Sequence, residues 1–231
     1  MWIDIHVESG LPEGINNLAE IGRHARECAL DGLAITDVGR LPDPAELEEA
    51  SNATGLFFFG GIKLPTDRGV WLAYPQDLHQ SCPELTSGED GLFPLSSVAE
   101  LGQEGWALVL SQPFLEGGPG EDVYDMVGFH GVEVSNGREP LSARDFAMEA
   151  ALSLGQGVVG GSGSSGESGA LGIVGTGFLR HLKYQRDFHD ALVNRTVLLV
   201  ERGKRFFATD TADGDGGRSR RRPRKRAKKK N

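Results

Sequence analysis

Cysteine is scarce in this chain. Only Cys28 and Cys82 occur among 231 residues, and no Cys-x-x-Cys is present. Cys28 falls on a predicted helix face and Cys82 precedes Pro83 in a predicted loop, so they make no disulfide framework. Long apolar runs are also missing: none approaches the ~20 residues that span a bilayer, and no membrane association is expected. No basic region precedes an apolar segment near the amino terminus, so a secretory signal is not expected. We read a reducing cytoplasm, where the acceptor pattern Asn194-Arg195-Thr196 is a chance match. Acid is absent from one stretch, residues 218–231, which hold ten Lys or Arg. Of the chain's 24 bases, 14 are left to face 33 acids in residues 1–217, a balance of −19 there against −9 overall. An acidic body with a basic tail implies that the tail has its own partner.

What is present reads as one substantial α/β domain. Hydrophobic residues make up 39% of the chain, enough for a buried core. Trp2 to Ser9 begins with apolar residues and reads as a first strand. Residues two apart on a strand share a face, so His6 and Glu8 are expected to look into one space at its carboxyl end. A Gly/Pro turn over 10–14 follows. Ile15, Leu18, Ile21, Ala25, Cys28 and Ala29 then recur at helical spacing up to Asp31-Gly32. Leu33 to Thr36 is a second strand ending at Asp37, and this strand–helix–strand unit implies parallel pairing.

The alternation continues. Pro44 to Ala53 is a helix with proline at its start. Leu56 to Leu64 is a strand, and Val70 to Tyr74 forms a hairpin with it across Asp67-Arg68-Gly69. Residues 76–94 read as a loop, after which Ser96 or Ser97 caps a short helix through Leu101. Trp106 to Leu110 and Gly131 to Val134 are strands. Ser142 is expected to cap a helix from Ala143 to Leu154. Gly157 to Gly160 reads as a last core strand, Leu182 to Leu192 as a helix, Thr196 to Val200 as a strand and Arg205 to Ala208 as an edge strand. Order is expected to end after Thr209, giving a domain over 1–209 and a disordered basic tail over 210–231. Buried, non-alternating strands separated by helices imply an α/β barrel or an open parallel sheet. In barrels the working residues sit at the strands' carboxyl ends. Here those ends offer His6, Glu8, Asp37, Lys63, Gln112 and Asn136.

Two further patterns have competing explanations. Gly161-Ser162-Gly163-Ser164-Ser165-Gly166 fits G-x-G-x-x-G after a strand, but the Ser168-Gly169-Ala170 that follows is a poor helix start for a phosphate loop. A flexible loop filling the site is the better reading, with anion binding through free amides as the alternative. Ser164 and Ser165 have no evident histidine partner for nucleophilic work. In the tail, Arg218, Arg220, Arg221, Arg222, Arg224, Lys225, Arg226, Lys228, Lys229 and Lys230 suit contact with DNA or RNA phosphates. No aromatic is present there for base stacking, so such binding would ignore sequence. The alternatives are an acidic protein surface, folding back on the acidic body, or a solubilising tail.

Several segments, in order, resemble the PHP family, the polymerase and histidinol phosphatase domain. Asp4-Ile5-His6-Val7-Glu8-Ser9 stands where that family has Asp-Leu-His-Thr-His-Ser. Gly32-Leu33-Ala34-Ile35-Thr36-Asp37-Val38 resembles Gly-Leu-Ala-Ile-Thr-Asp-His, and Gly61-Ile62-Lys63-Leu64 resembles Gly-Val-Glu-Ile. Ser111-Gln112-Pro113-Phe114 and Gly131-Val132-Glu133-Val134-Ser135-Asn136 are similar to Ala-His-Pro-Phe and Gly-Ile-Glu-Val-Tyr-Asn. Gly161-Ser162-Gly163-Ser164-Ser165, then Leu171-Gly172 and Thr176, follow Gly-Ser-Asp-Ala-His and Leu-Gly…Thr. The resemblance covers roughly residues 2–203. It implies a distorted (βα)7 TIM-like barrel with up to three metal ions and phosphoester hydrolysis.

The departures from that pattern fall on the ligand positions. Glu8, Val38, Gln112 and Ser165 replace histidines, Lys63 replaces glutamate and Gly163 replaces aspartate; His6 and Asp37 remain. His24, His79, His130, His181 and His189 lie outside the motifs. A transition metal needs three or four converging ligands, and His6, Glu8 and Asp37 supply at most one site. No cofactor is therefore expected, the alternative being one divalent ion such as zinc or manganese. Lys63 is expected either to pair with Glu8 or Asp37 where the metal would sit or to bend out to solvent. The expected pocket comprises His6, Glu8, Asp37, Lys63, Gln112, Asn136, Ser162 and Ser165, with His6 and Asp37 the only catalytic candidates. The resemblance thus implies a non-catalytic PHP-like binding or scaffold protein. The alternative is a metal-dependent phosphoesterase with a reduced site.

Overall fold

The computed structural model describes residues 1–10, 18–164 and 171–201, and the backbone of 204–206. Its strands are β1 (Trp2–Val7), β2 (Gly32–Val38), β3 (Phe57–Thr66), β4 (Gly69–Tyr74), β5 (Ala107–Ser111), β6 (Gly131–Ser135), β7 (Gly157–Gly160), β8 (Val174–Phe178), β9 (Val197–Glu201) and β10 (Lys204–Phe206). The helices are α1 (Leu18–Glu27), α2 (Pro44–Thr54), α3 (Leu95–Gln103), α4 (Leu141–Ser153) and α5 (Gln185–Val193), with a 3₁₀ turn over Gly120–Asp125. The basic tail, Ser165 and the 10–14 turn beyond Gly10 lie outside the described residues.

All ten strands form one sheet in the order β10-β9-β8-β1-β2-β3-β4-β5-β6-β7. β1, β2 and β3 pair in parallel, as do β5, β6 and β7. β4 lies antiparallel between β3 and β5, so both triplets run the same way. β9 shares that direction through the antiparallel β8. Seven described strands therefore end at one edge, and three run against them. The sheet curls until β7 meets β8 and β9. There the Gly160 N–H donates to Thr176 Oγ1 at 3.1 Å, and that hydroxyl donates to the Gly160 carbonyl at 2.8 Å. The result is a mixed α/β fold with a nearly closed, barrel-like sheet.

Burial explains the closure. Ile3, Ile5, Ala34, Phe59, Leu72, Tyr74, Val109, Val159 and Phe178 come from seven strands yet share one cluster, which Phe188 and Leu192 of α5 complete. Phe188 stacks on Phe59 with ring centres 4.6 Å apart. A second cluster packs α1 and α2 on Leu33, Ile35 and Phe58, and a third joins α3 and α4 to β3–β6. At roughly 1.5–3 kcal/mol for each large apolar side chain removed from water, these clusters supply most of the drive to fold.

Three local expectations are corrected. β8 is an eighth strand, in the stretch after Gly157–Gly160, which reads in the sequence as the last core strand before α5. It reads as loop because of Gly175 and Gly177, but these glycines are what allow the strand in: a Cβ on Gly175 would lie 2.7 Å from the Trp2 indole nitrogen. The caps of α3 and α4 are Pro94 and Pro140, not serine. Ser96, Ser97 and Ser142 lie inside the first turns, because proline's fixed φ already sets the entry. α5 begins at Gln185, three residues later than its periodicity suggests, where Asp187 accepts from the Tyr184 and Lys183 N–H groups.

Candidate functional site at the strand ends

β1 delivers two sets of polar groups. Its pairing with β2 shifts register between Asp4 and Val7, and the strand ends before Glu8. His6 and Glu8 consequently take partners on different strands. His6 Nδ1 meets the Glu133 carboxylate of β6, 3.1 Å from Oε1 and 3.2 Å from Oε2. Glu8 Oε1 accepts from Lys63 Nζ of β3 at 2.6 Å.

The inner set is deeply buried. Asp4 and Glu133 have no exposure, and His6 has 4%. Glu133 also accepts from the Ser111 hydroxyl at the end of β5. As a carboxylate it can only accept, which puts the hydrogen on His6 Nδ1. His6 Nε2 is then left as a buried nitrogen with no partner among the described residues. Asp4 Oδ1 accepts from the Ser162 N–H at 2.8 Å and the His6 N–H at 3.2 Å, while Oδ2 has no partner among the described residues. Burial pushes the Asp4 carboxyl up to about 6, although the Ser162 and His6 contacts pull the other way. The Tyr74 hydroxyl donates to the Ile5 carbonyl at 2.6 Å. Burial, with Glu133 and Asp4 nearby, raises that phenol well above its usual range. Gly161 lies against the set: a Cβ there would lie 2.6 Å from His6 Cβ and 2.8 Å from Glu133 Oε1.

The outer set lies closer to solvent. Lys63 and Glu8 side chains are 19% and 28% exposed. Asp37 holds the turn after β1, accepting from the Ser9 N–H and hydroxyl at 2.7 Å each. The Glu8 N–H donates to the Ser164 carbonyl at 2.8 Å, and Val7 bridges to Ser164, so the start of the glycine-rich loop lies along the end of β1.

Of the expected pocket, the structure draws His6, Glu8, Asp37, Lys63 and Ser162 into these two sets. Gln112 has φ +46° after β5 and donates its N–H to the Glu133 carbonyl, so its backbone supports the inner set. The Asn136 side-chain oxygen accepts from the Arg138 and Glu139 N–H groups and serves the turn after β6. Ser165 lies outside the described residues. Asp4, Ser111 and Glu133 are the members that reasoning from strand ends passes over. Their signal is a carboxylate or hydroxyl inside an otherwise apolar strand. The period-two rule that singles out His6 and Glu8 also reaches Asp4.

No family model and no curated protein sequence matches the chain. Solved structures do. One is a two-domain protein from Bacteroides vulgatus containing a predicted PHP-like metal-dependent phosphoesterase, with TM-score 0.64 and 16% identity over 87% of this chain. The chain spans 64% of that protein's length. Another is a Bifidobacterium adolescentis protein assigned as a metal-dependent phosphoesterase, with TM-score 0.56 and 16% identity, covering 84% of this chain and 96% of that one. A third is an amidohydrolase from Chromobacterium violaceum with sulfate bound and no metal, with TM-score 0.54 and 17% identity, covering 87% and 98%. This chain has a PHP-like fold.

The resemblance to the PHP family implies a metal cluster, and the described residues do not fit one. Among the described residues no three of His, Cys, Asp and Glu are grouped to hold an ion. Within the set His6, Glu8 and Asp37, Glu8 is taken by an ammonium and Asp37 by Ser9. His6 has turned its Nδ1 to Glu133. A cation at Glu8 would face Lys63 at close range, where like charges repel strongly. No helix among the described residues is long and apolar enough to cross a membrane.

Proposed function

We propose that this chain is a PHP-like binding or scaffold protein without the hydrolytic metal chemistry of that fold, and that its basic tail engages nucleic acid. The observation that carries the first part is the Lys63–Glu8 ion pair at 2.6 Å. An ammonium held by Glu8 fills a place at the strand ends but offers no open coordination position and activates no water. The inner set supports the same reading, because Glu133 and Ser111 hold His6 in a buried network with little access for a substrate. For the second part the support is the run of ten bases without an acid over 218–231, a charge density suited to phosphates. We place the protein in the cytoplasm.

A second reading, a phosphoesterase with a reduced site, is favoured by one observation: the buried His6 Nε2 has no partner among the described residues. Elemental analysis of the full chain after incubation with zinc or manganese, joined to a phosphatase and phosphodiesterase screen, separates the two. The proposal expects neither retained metal nor turnover. Retained metal with activity abolished by His6→Ala establishes the enzyme instead. For the tail, binding to a random-sequence duplex is measured across a salt series with and without residues 210–231. A steep salt slope that vanishes on truncation is expected, and equal affinity for both forms refutes the tail's role.

A further inference from the structure

A cavity of about 700 Å³ opens in the outer wall, away from the strand-end site, between α3 and the 3₁₀ segment that precedes β6. Its deep lining is apolar: Trp71 and Leu108 from the sheet, and Val98 from α3, are each at most 4% exposed. Its mouth is mixed, with Leu95 39% and Val127 89% exposed beside the exposed polar residues Arg68, Gln103, Asp122 and Asp125. Large apolar side chains held at the mouth of an apolar cavity of this size are the usual make-up of a small-molecule site.

The charges around it choose the ligand. Three charged residues line the cavity: Arg68, Asp122 and Asp125. Arg68 pairs with Asp122, its Nη1 lying 2.5 Å from Oδ2, both side chains largely exposed. Asp125 has no ion-pair partner among the described residues, and it sits on a body whose balance over residues 1–217 is −19. The cavity therefore combines an apolar interior with an exposed carboxylate at its mouth, Asp125, that has no ion-pair partner among the described residues. We propose that it binds a small organic cation, a ring-bearing apolar body carrying one positively charged nitrogen. The apolar part would fill the space over Trp71, and the nitrogen would lie toward Asp125.

The proposal stands apart from any reading of the strand ends. It is tested by calorimetric titration of the full chain with two probes of matched size, naphthylmethyl-trimethylammonium and naphthylacetate. The cation is expected to bind saturably, about tenfold or more tighter than the anion. Asp125→Asn is expected to remove most of that preference while leaving apolar binding in place. Ala99→Trp, on the exposed face of α3 that lines the cavity, is expected to abolish binding of both probes with an unchanged circular dichroism spectrum. No saturable binding of the cation overturns the proposal. So does an anion bound as tightly, or a cation affinity that neither variant moves, which would place the cation elsewhere on the acidic surface.

Discussion

The two sets of charges at the strand ends, a few residues apart in sequence, differ in what they ask of the protein. Asp4, His6 and Glu133 lie out of water, where an unpaired charge is very costly and each hydrogen bond is needed. Lys63 and Glu8 keep 19% and 28% exposure, so solvent can replace much of what they give each other. The inner set therefore belongs to the stability of the fold. The outer set, in the function proposed above, governs what the site admits, because its ammonium and carboxylate already satisfy each other at the strand tips.

This contrast can be broken at five positions. The largest effect is expected at Glu133→Ala. It strands the His6 Nδ1–H and the Ser111 hydroxyl in a dry interior, and at about 1–3 kcal/mol for each unsatisfied donor roughly 2–6 kcal/mol of unfolding free energy should be lost in urea titrations. Asp4 comes next. Its folded-state value of about 6 lies above the ordinary 3.8 of an aspartate, so the folded chain holds that proton more tightly. The group's favourable contribution is complete below about pH 4 and is lost as pH rises through 6. The change is about 3 kcal/mol for a shift of this size. Asp4→Asn, which keeps the acceptor for Ser162 and His6, should flatten that slope and leave the variant more stable than the parent at pH 7.5. Unfolding curves at pH 4.5, 6 and 7.5 decide it; parallel slopes for the two chains would count against the burial of Asp4.

A smaller effect is expected at Gly161→Ala. The new methyl must displace His6 or Glu133, at a cost of about 1–3 kcal/mol. The thermal midpoint is the simple readout. The smallest belongs to the rim: a double-mutant cycle over Lys63→Met and Glu8→Gln should return a coupling under about 1 kcal/mol. A coupling as large as the Glu133 effect would erase the distinction between the two sets.

Much of this was legible in the sequence, for identifiable reasons. β1, α1 and β2 follow from apolar periodicity and the stop at Asp31-Gly32. The hairpin of β3 and β4 follows from Asp67-Arg68-Gly69. Lysine at a strand end left two outcomes open, pairing with Glu8 or Asp37 or bending out to solvent, and its Nζ lies 2.6 Å from Glu8 Oε1. Other features depend on tertiary contacts that a local pattern does not carry. β8 contains Gly175 and Gly177 because Trp2, Leu198 and Val200 press on it, a demand that only the packed neighbours reveal. Glu133 lies in an apolar run, and its partners His6 and Ser111 are 127 and 22 residues away. The register shift in β1 sends His6 and Glu8 apart, which strict alternation does not anticipate.

The central claim is that a lysine ammonium occupies the charge position at the strand ends that the fold otherwise gives to metal. Calorimetric titration of the full chain with zinc, repeated with manganese, tests it most directly. The account predicts no saturable uptake by the parent chain. Uptake of one or more ions per chain that disappears in His6→Ala would contradict it.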